Sequence, residues 1–192
     1  MNVPIDVSVV TLTTERLILR PWRPEDLDDL YAYASVDGVG QMAGWAPHPD
    51  IETSRQRLAH FIEGRHTFAL DLAGRVVGSL GVDRYNEEKL TEFADLRGRE
   101  LGFVLAKDCW GRGLMPEAVK RVERYLFEDV GLDFLICAHF RENGRSARVQ
   151  QKCGFTFYKL GINRTELGEV QEICINLLKR ADWERLAADR EK

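Results

Sequence analysis

The chain has 192 residues, 44% hydrophobic and 30% charged, a length that suits one domain over 1–192 with a substantial core. A formal net charge of −4 argues against a general nucleic-acid binder, which needs a basic face, and no apolar run is long enough to span a bilayer. Cys109, Cys137, Cys153 and Cys174 form no C-x-x-C pair and sit in apolar settings, so they read as reduced thiols of a cytoplasmic protein. The stretch Val3 to Leu12 is short and lacks the basic lead-in of a signal peptide.

Residues 1–12 read as an N-terminal extension with at most an edge strand. Arg16 to Arg20 alternates as a strand does and is stopped by Pro21. Pro24-Glu25-Asp26 opens a helix with acidic residues in its first turn and an apolar stripe of Leu27, Leu30 and Tyr31. A Gly- and Pro-rich loop runs from Asp37 to Pro49 and carries Gln41, Met42, Trp45 and His48. Asp50 can cap a second helix that reaches Gly64, with Leu58, Phe61 and Ile62 facing inward. Two strands, Thr67–Asp71 and Arg75–Leu80, flank a turn at Ala73-Gly74. Tyr85 to Arg99 is polar and charged, as an exposed connection would be.

The stretch from Glu100 to Ala118 organises the rest. Glu100 to Leu105 is a short apolar run of strand formers. Lys107 to Met115 is a tight loop with Gly111 and Gly113, and Pro116 is suited to the first helical position. A strand, a glycine-bearing turn and a helix start aim backbone N–H groups at one point, where the helix dipole adds positive potential. The arrangement suits a phosphate or pyrophosphate. A P-loop would close with Gly-Lys-Ser/Thr, but Gly113 is followed by Leu114 and Met115. A dinucleotide fingerprint would need a small residue where Pro116 stands.

Beyond it, Ala118, Val119, Val122, Tyr125 and Leu126 share one helix face, ending near Gly131. Phe134 to Ala138 is apolar throughout, as a strand covered on both faces should be, so strand, helix and strand make a parallel βαβ unit. Asn143 can cap a helix through Lys152, with Gly154 as its left-handed end and Phe155 as the accompanying contact. Thr156–Arg164 and Glu169–Leu178 form a hairpin around Leu167-Gly168-Glu169. Residues 180–192 are a charged tail, a frayed helix packed by Trp183 and Leu186. The order is β-α-α-β-β-β-α-β-α-β-β, an α/β fold with a mixed central sheet flanked by helices.

Three blocks carry a resemblance to a known family. The first is Thr14-Glu15-Arg16-Leu17-Ile18-Leu19-Arg20-Pro21. The second runs Glu100-Leu101-Gly102-Phe103-Val104-Leu105, then Trp110-Gly111-Arg112-Gly113, then Pro116-Glu117-Ala118. The third is Asn143, Ser146 and Val149, followed by Lys152-Cys153-Gly154-Phe155. Together they resemble the GNAT superfamily of N-acetyltransferases, especially its RimJ/RimL-like branch, over roughly Thr13 to Leu178. Trp110 stands where the broad signature has Gln or Arg, and Met115 where it has a small residue.

The resemblance implies acetyl-CoA as co-substrate, no metal, and direct transfer of the acetyl group to a primary amine, either a protein N-terminus or a small molecule. It implies a backbone cradle of Trp110, Gly111, Arg112, Gly113, Leu114 and Met115 for the pyrophosphate, with Arg112 and Lys107 supplying charge. The pantetheine arm would lie along Phe103, Val104 and Leu105 and touch Asn143. The base is Glu100, with Glu166, Glu169 and Glu172 of the last hairpin as rivals. The tyrosine that many members place after the Asn falls on Gln150 here, which leaves Ser146 as the group beside the coenzyme sulfur. Acceptor walls fall to Gln41 and Trp45, between the Asp37–Pro49 loop and the Leu167–Glu169 hairpin. The four histidines, His48, His60, His66 and His139, have no metal-ligand spacing. A homodimer is compatible with all of this. The alternative reading is a CoA-binding sensor without turnover.

Overall fold

The computed structural model describes residues 1–190. One eight-stranded sheet runs through it in the order β1-β2-β3-β4-β5-β6-β8-β7. The strands are β1 Leu12–Thr13, β2 Ile18–Pro21, β3 Thr67–Leu72, β4 Arg75–Asp83, β5 Gly98–Leu105, β6 Phe134–Phe140, β7 Thr156–Arg164 and β8 Val170–Lys179. The helices are α1 Leu27–Ala34, α2 Ile51–Gly64, α3 Leu114–Arg124, α4 Gly144–Cys153 and α5 Arg180–Arg190. This is the mixed sheet flanked by helices that the sequence implies. Every neighbouring pair is antiparallel except β5 and β6, which are parallel across the α3 crossover.

Local chemistry explains the elements. Ala73 and Gly74 both take positive φ, 54° and 87°, the geometry of a two-residue hairpin whose twist matches its strands. Asp71 accepts the Gly74 N–H at 2.8 Å and holds that turn. Asp50 caps α2 by accepting from the Thr53 N–H at 2.8 Å. Gly154 ends α4 at φ 97°, and the Phe155 N–H returns to the Gln150 carbonyl.

The helices cover opposite faces of the sheet. Phe68 and Ala69 are adjacent on β3, so their side chains point apart. Phe68 meets Tyr125 just beyond α3, while the Ala69–Ser79 pair faces the cavity that Tyr33 of α1 lines. The main core fills both sides. Buried in it, the Arg20 guanidinium forks onto Asp26 at 2.8 and 2.9 Å and reaches Asp71 at 3.1 Å.

Several expectations need correction. Helix α3 starts at Leu114, so Pro116 stands third rather than first; it is still within the turn whose N–H groups have no intrahelical partner. Ile62 is exposed, because the stripe of α2 that faces inward carries Ser54, Leu58 and, partly, Phe61. The connection from Tyr85 is not simply exposed. Tyr85, Leu90 and Phe93 pack on Phe134, Ile136 and Leu177 as a second apolar cluster. The helix after Arg124 continues as a π-helical turn, Tyr125–Asp129. The tail is helical from Arg180, and Trp183 lies 5.2 Å from the Phe127 ring; its last two residues, 191 and 192, lie outside the described residues.

Candidate active site

The sheet opens in the middle. The β5–β6 ladder runs from Gly98–Phe134 to Leu101–Cys137 and stops there. Yet β5 stays paired with β4 to Leu105–Gly78, and β6 with β8 to Phe140–Ile173. The two central strands therefore splay apart beyond Leu101. Antiparallel ladders alternate, and the Ala106 N–H donates to the Val77 carbonyl at 2.7 Å. By that alternation Val104 turns its N–H and C=O to β4, while Phe103 and Leu105 turn theirs into the wedge. The Leu105 carbonyl accepts the Trp110 indole N–H at 2.8 Å, which leaves the Phe103 groups and the Leu105 N–H facing it.

A cavity of about 420 Å³ fills the wedge on the α3–α4 side. Residues 101–105, Trp110, Gly111, Gly113, Leu114, Met115, Asn143 and Ser146 all line it. Gly111 and Gly113 take φ of 76° and 77°, a region L side chains rarely occupy, and so bend the chain into the first turn of α3. A Cβ on Gly111 would meet nothing within 4 Å, so open space lies over the loop. Met115 is buried, which carries its bulk into the core. Arg16 binds the Arg112 carbonyl at 2.9 Å and pairs with Glu117 at 2.5 Å, tying the loop and α3 to the β1–β2 turn. The Arg145 guanidinium covers the Trp110 ring at 4.4 Å. Open backbone N–H groups at a helix start, with cationic side chains alongside, fit a diphosphate; the wedge fits an extended amide-bearing arm.

Asn143 caps α4 by accepting from the Ser146 N–H at 3.1 Å, and its amide donates to the Met42 carbonyl at 3.1 Å. Gln150 is buried behind them. Its amide donates to Ser146 Oγ at 3.1 Å and to the Ala138 carbonyl at 3.3 Å, while its oxygen accepts from Asn176 at 2.6 Å. With its oxygen occupied as an acceptor, the Ser146 hydroxyl is left to donate its own proton elsewhere.

A second cavity, about 230 Å³, lies on the α1–α2 side and shares Ala43, Gly102, Phe103 and Val104 with the first. Trp45, His48, Arg57, His66 and Asp83 are among its walls. Gln41 is not. Its side chain is used within its own loop, donating to Asp37 at 2.7 Å and accepting from the Gly38 N–H at 3.0 Å, so Ala43 and Trp45 form the wall on this side, while Met42 lines the first cavity. The last hairpin reaches the site through Glu166, which pairs with Arg57 at 2.8 Å. Glu172 pairs with Arg141, and Glu169 accepts from Gln171; neither lines a cavity.

Glu100 pairs with Asp83 across the β4–β5 ladder, on the α1–α2 face of the sheet. Burial, and then the Asp83 carboxylate, push its carboxyl up to about 7. His66 is raised too, chiefly by Asp83, 3.2 Å away. His48 is lowered, mainly by burial, and its Nδ1 lies 2.7 Å from Ser54 Oγ. The site thus holds a carboxyl that changes charge near neutrality, set beside a junction of two cavities. Among the described residues no group of three or more His, Cys, Asp or Glu is placed to hold a metal ion, and no helix is long and apolar enough to cross a membrane.

Asp83, His66, Arg57 and Gln150's grip on Ser146 are not evident from sequence. The one available signal was Gly81 and Asp83 at period-two spacing, on one face of a strand.

Comparison with known proteins accords with this geometry. A family model described as the acetyltransferase (GNAT) domain matches residues 16–156. The chain is 28% identical over 153 residues to p20, an uncharacterized N-acetyltransferase of Bacillus licheniformis, covering 76% of this chain and 82% of that one. Among solved structures it resembles a GNAT-family acetyltransferase from Bacillus anthracis, with a TM-score of 0.76 at 20% identity over 90% of this chain and 99% of that one. It also resembles the ribosomal-protein-S5-alanine acetyltransferase of Vibrio fischeri, with a TM-score of 0.67 at 18% identity over 91% and 98%. At such identities the structural likeness speaks for the fold, while the family model covers most of the chain. The protein belongs to the GNAT acetyltransferase family and is an acetyltransferase.

Proposed function

We propose that the chain is an acetyl-CoA-dependent N-acetyltransferase of RimJ/RimL-like type, acting on a primary amine by direct transfer between two bound substrates. The observation that carries this reading is the junction at Gly102, Phe103 and Val104, where one cavity meets the other through the splayed strands. A co-substrate on the α3–α4 side and an amine on the α1–α2 side would meet there. Bound acetyl-CoA supplies a thioester carbonyl open to attack.

The chain's own groups have fitting tasks. Backbone N–H groups of residues 110–115 hold the diphosphate, with Arg112 beside them. The N–H of Phe103 or Leu105 stands where a carbonyl oxygen gaining negative charge needs a donor. Glu100, with its carboxyl near 7, lines neither cavity and draws off the amine proton through an intervening group. Ser146 directs its hydroxyl to the departing sulfur, held by Gln150 in the place where many family members have a tyrosine. Trp45 forms the acceptor wall. A protein N-terminus as acceptor draws support from the Vibrio fischeri neighbour, a ribosomal-protein-S5-alanine acetyltransferase. A cytoplasmic setting is in keeping with four cysteines that form no disulfide with one another, three of them buried.

Calorimetry with acetyl-CoA, followed by thiol release against peptides with free N-termini and small amines, tests the reading. The expected result is saturable binding and acceptor-dependent release. Tight binding without release from any amine would favour a sensor instead, and no binding would remove the proposal.

A further inference from the structure

The second cavity ends against a carboxylate that the proposed reaction leaves without a task. Asp83 closes β4, and its side chain folds back over two glycines. A Cβ on Gly81 would come within 2.8 Å of Asp83 Oδ2, and one on Gly102 within 3.2 Å. Glycine at both positions is what lets the carboxylate lie there. Gly102 is also the residue just past the end of the β5–β6 ladder, and it lines both cavities. Glu100 is placed differently. It lies opposite Ile136, where β6 is still paired, beside the second apolar cluster, and it lines neither cavity. Of the two carboxylates, Asp83 is the one that reaches the junction.

His66 fixes which oxygen of Asp83 is offered. Its Nδ1 lies 2.7 Å from the Gly64 carbonyl, which can only accept, so Nδ1 carries a proton. Its Nε2 lies 3.2 Å from Asp83 Oδ1. An imidazolium satisfies both partners at once. That leaves Oδ2, the oxygen above Gly81 and Gly102, free to accept.

We propose that Asp83 is a further catalytic residue, the carboxylate that receives the proton of the incoming ammonium, with Glu100 as its partner in holding that proton and His66 as its positioning residue. This rests on the N-acetyltransferase reading above. Burial, and then the Asp83 carboxylate opposite it on the ladder, raise the Glu100 carboxyl to about 7, so Glu100 can hold a proton near neutrality. Asp83, its side chain 47% exposed, is the member that can pass the proton on to solvent. The steps balance. One N–H bond of the ammonium breaks and its proton goes to Asp83 Oδ2. The freed lone pair forms the C–N bond, and the C–S pair departs with sulfur. The nitrogen's surplus proton then balances the thiolate, and Asp83 returns its own to water.

The charged groups around this pair are His66 just before β3, Arg99 from β5, Arg84 just after β4, and His60 from α2, whose ring lies 6.3 Å from that of His66. Arg99 is engaged by the Val3 carbonyl at 2.6 Å and acts on Asp83 only through space.

The test uses the full chain, acetyl-CoA, and two acceptor probes: a peptide with a free N-terminal alanine, and spermidine. Turnover is followed from about pH 5 to pH 9 for the wild type, Asp83→Asn and His66→Gln. Asp83→Asn should lower kcat about 100-fold while leaving the acetyl-CoA Kd within about twofold. Its residual activity should have an acid limb moved to lower pH, because Glu100 no longer faces a like charge. His66→Gln should lower kcat about tenfold and move the limb up, since a cation is lost. A merely structural role would not move either limb in these directions. Should Asp83→Asn fail to fold, the His66→Gln limb decides alone. An active wild type with Asp83→Asn within about threefold of it at every pH would overturn the inference and leave the acetyltransferase reading intact. Loss of acetyl-CoA binding in Asp83→Asn would also overturn it. A wild type that binds acetyl-CoA but releases thiol with neither probe would remove that reading and this one with it.

Discussion

Glu100→Gln should stabilise the protein above neutral pH while impairing it as an enzyme. The Glu100 carboxyl is raised from 4.5 to about 7, by burial first and the Asp83 carboxylate second. The sign follows from the two states. Below pH 4.5 the group is protonated whether the chain is folded or not, so its favourable contribution is fully present. As pH rises from 4.5 to about 7 the unfolded chain ionises while the folded chain stays protonated, and that contribution is lost. At about 1.36 kcal/mol per tenfold change the full effect is about 3 kcal/mol. The side chain is only half-buried by surface area, so solvent screening reduces this to about 1–2 kcal/mol. Glutamine has the same shape and never carries the charge. Melting of wild type and variant at about pH 5 and pH 8 reads the difference: near equality at the lower pH, and the variant roughly 3–6 °C higher at the upper. Turnover should fall about 100-fold in the same variant. Equal melting at both pH values, or a less stable variant at the higher one, would refute the reasoning.

Asp26→Ala should cost about 3 kcal/mol in urea denaturation, because it leaves the Arg20 guanidinium buried with Asp71 as its remaining carboxylate. A loss under about 1 kcal/mol would show that the charge finds water instead. Gly113→Ala forces a side chain into φ 77° at the N-cap of α3, which should cost about 1 kcal/mol of stability. The first N–H groups of α3 would also be re-aimed, so calorimetry should show acetyl-CoA affinity down about tenfold; unchanged affinity would detach this turn from the diphosphate.

Much of the chain is legible from sequence because local chemistry repeats over short distances. Asp50 caps a helix wherever it stands before one. Ala73-Gly74 turns a hairpin, Gly154 ends a helix, and the apolar run Phe134 to Ala138 is a covered strand. The glycine loop before α3 and the Asn143 cap could be read the same way, as could the family that the three blocks resemble. Ile62 and Pro116 were misplaced because a helical stripe is broad and a helix start can slide within its first turn.

Only the tertiary structure decided what meets at the junction. A strand's period of two says that Gly81 and Asp83 share a face, but not that Gly102 lies across from Gly81; that depends on the β4–β5 register. The wedge exists because a parallel pairing ends at Leu101–Cys137 while the outer pairings continue, and no property of Gly102 or Ala138 alone announces it. Gln150 of α4 reads as a lost tyrosine until Asn176, from β8, is seen holding it against Ser146. Periodicity and capping act between near neighbours, so one stretch of chain determines them. Register, splay and charge pairing join residues far apart in sequence, and they are settled only when the whole sheet closes.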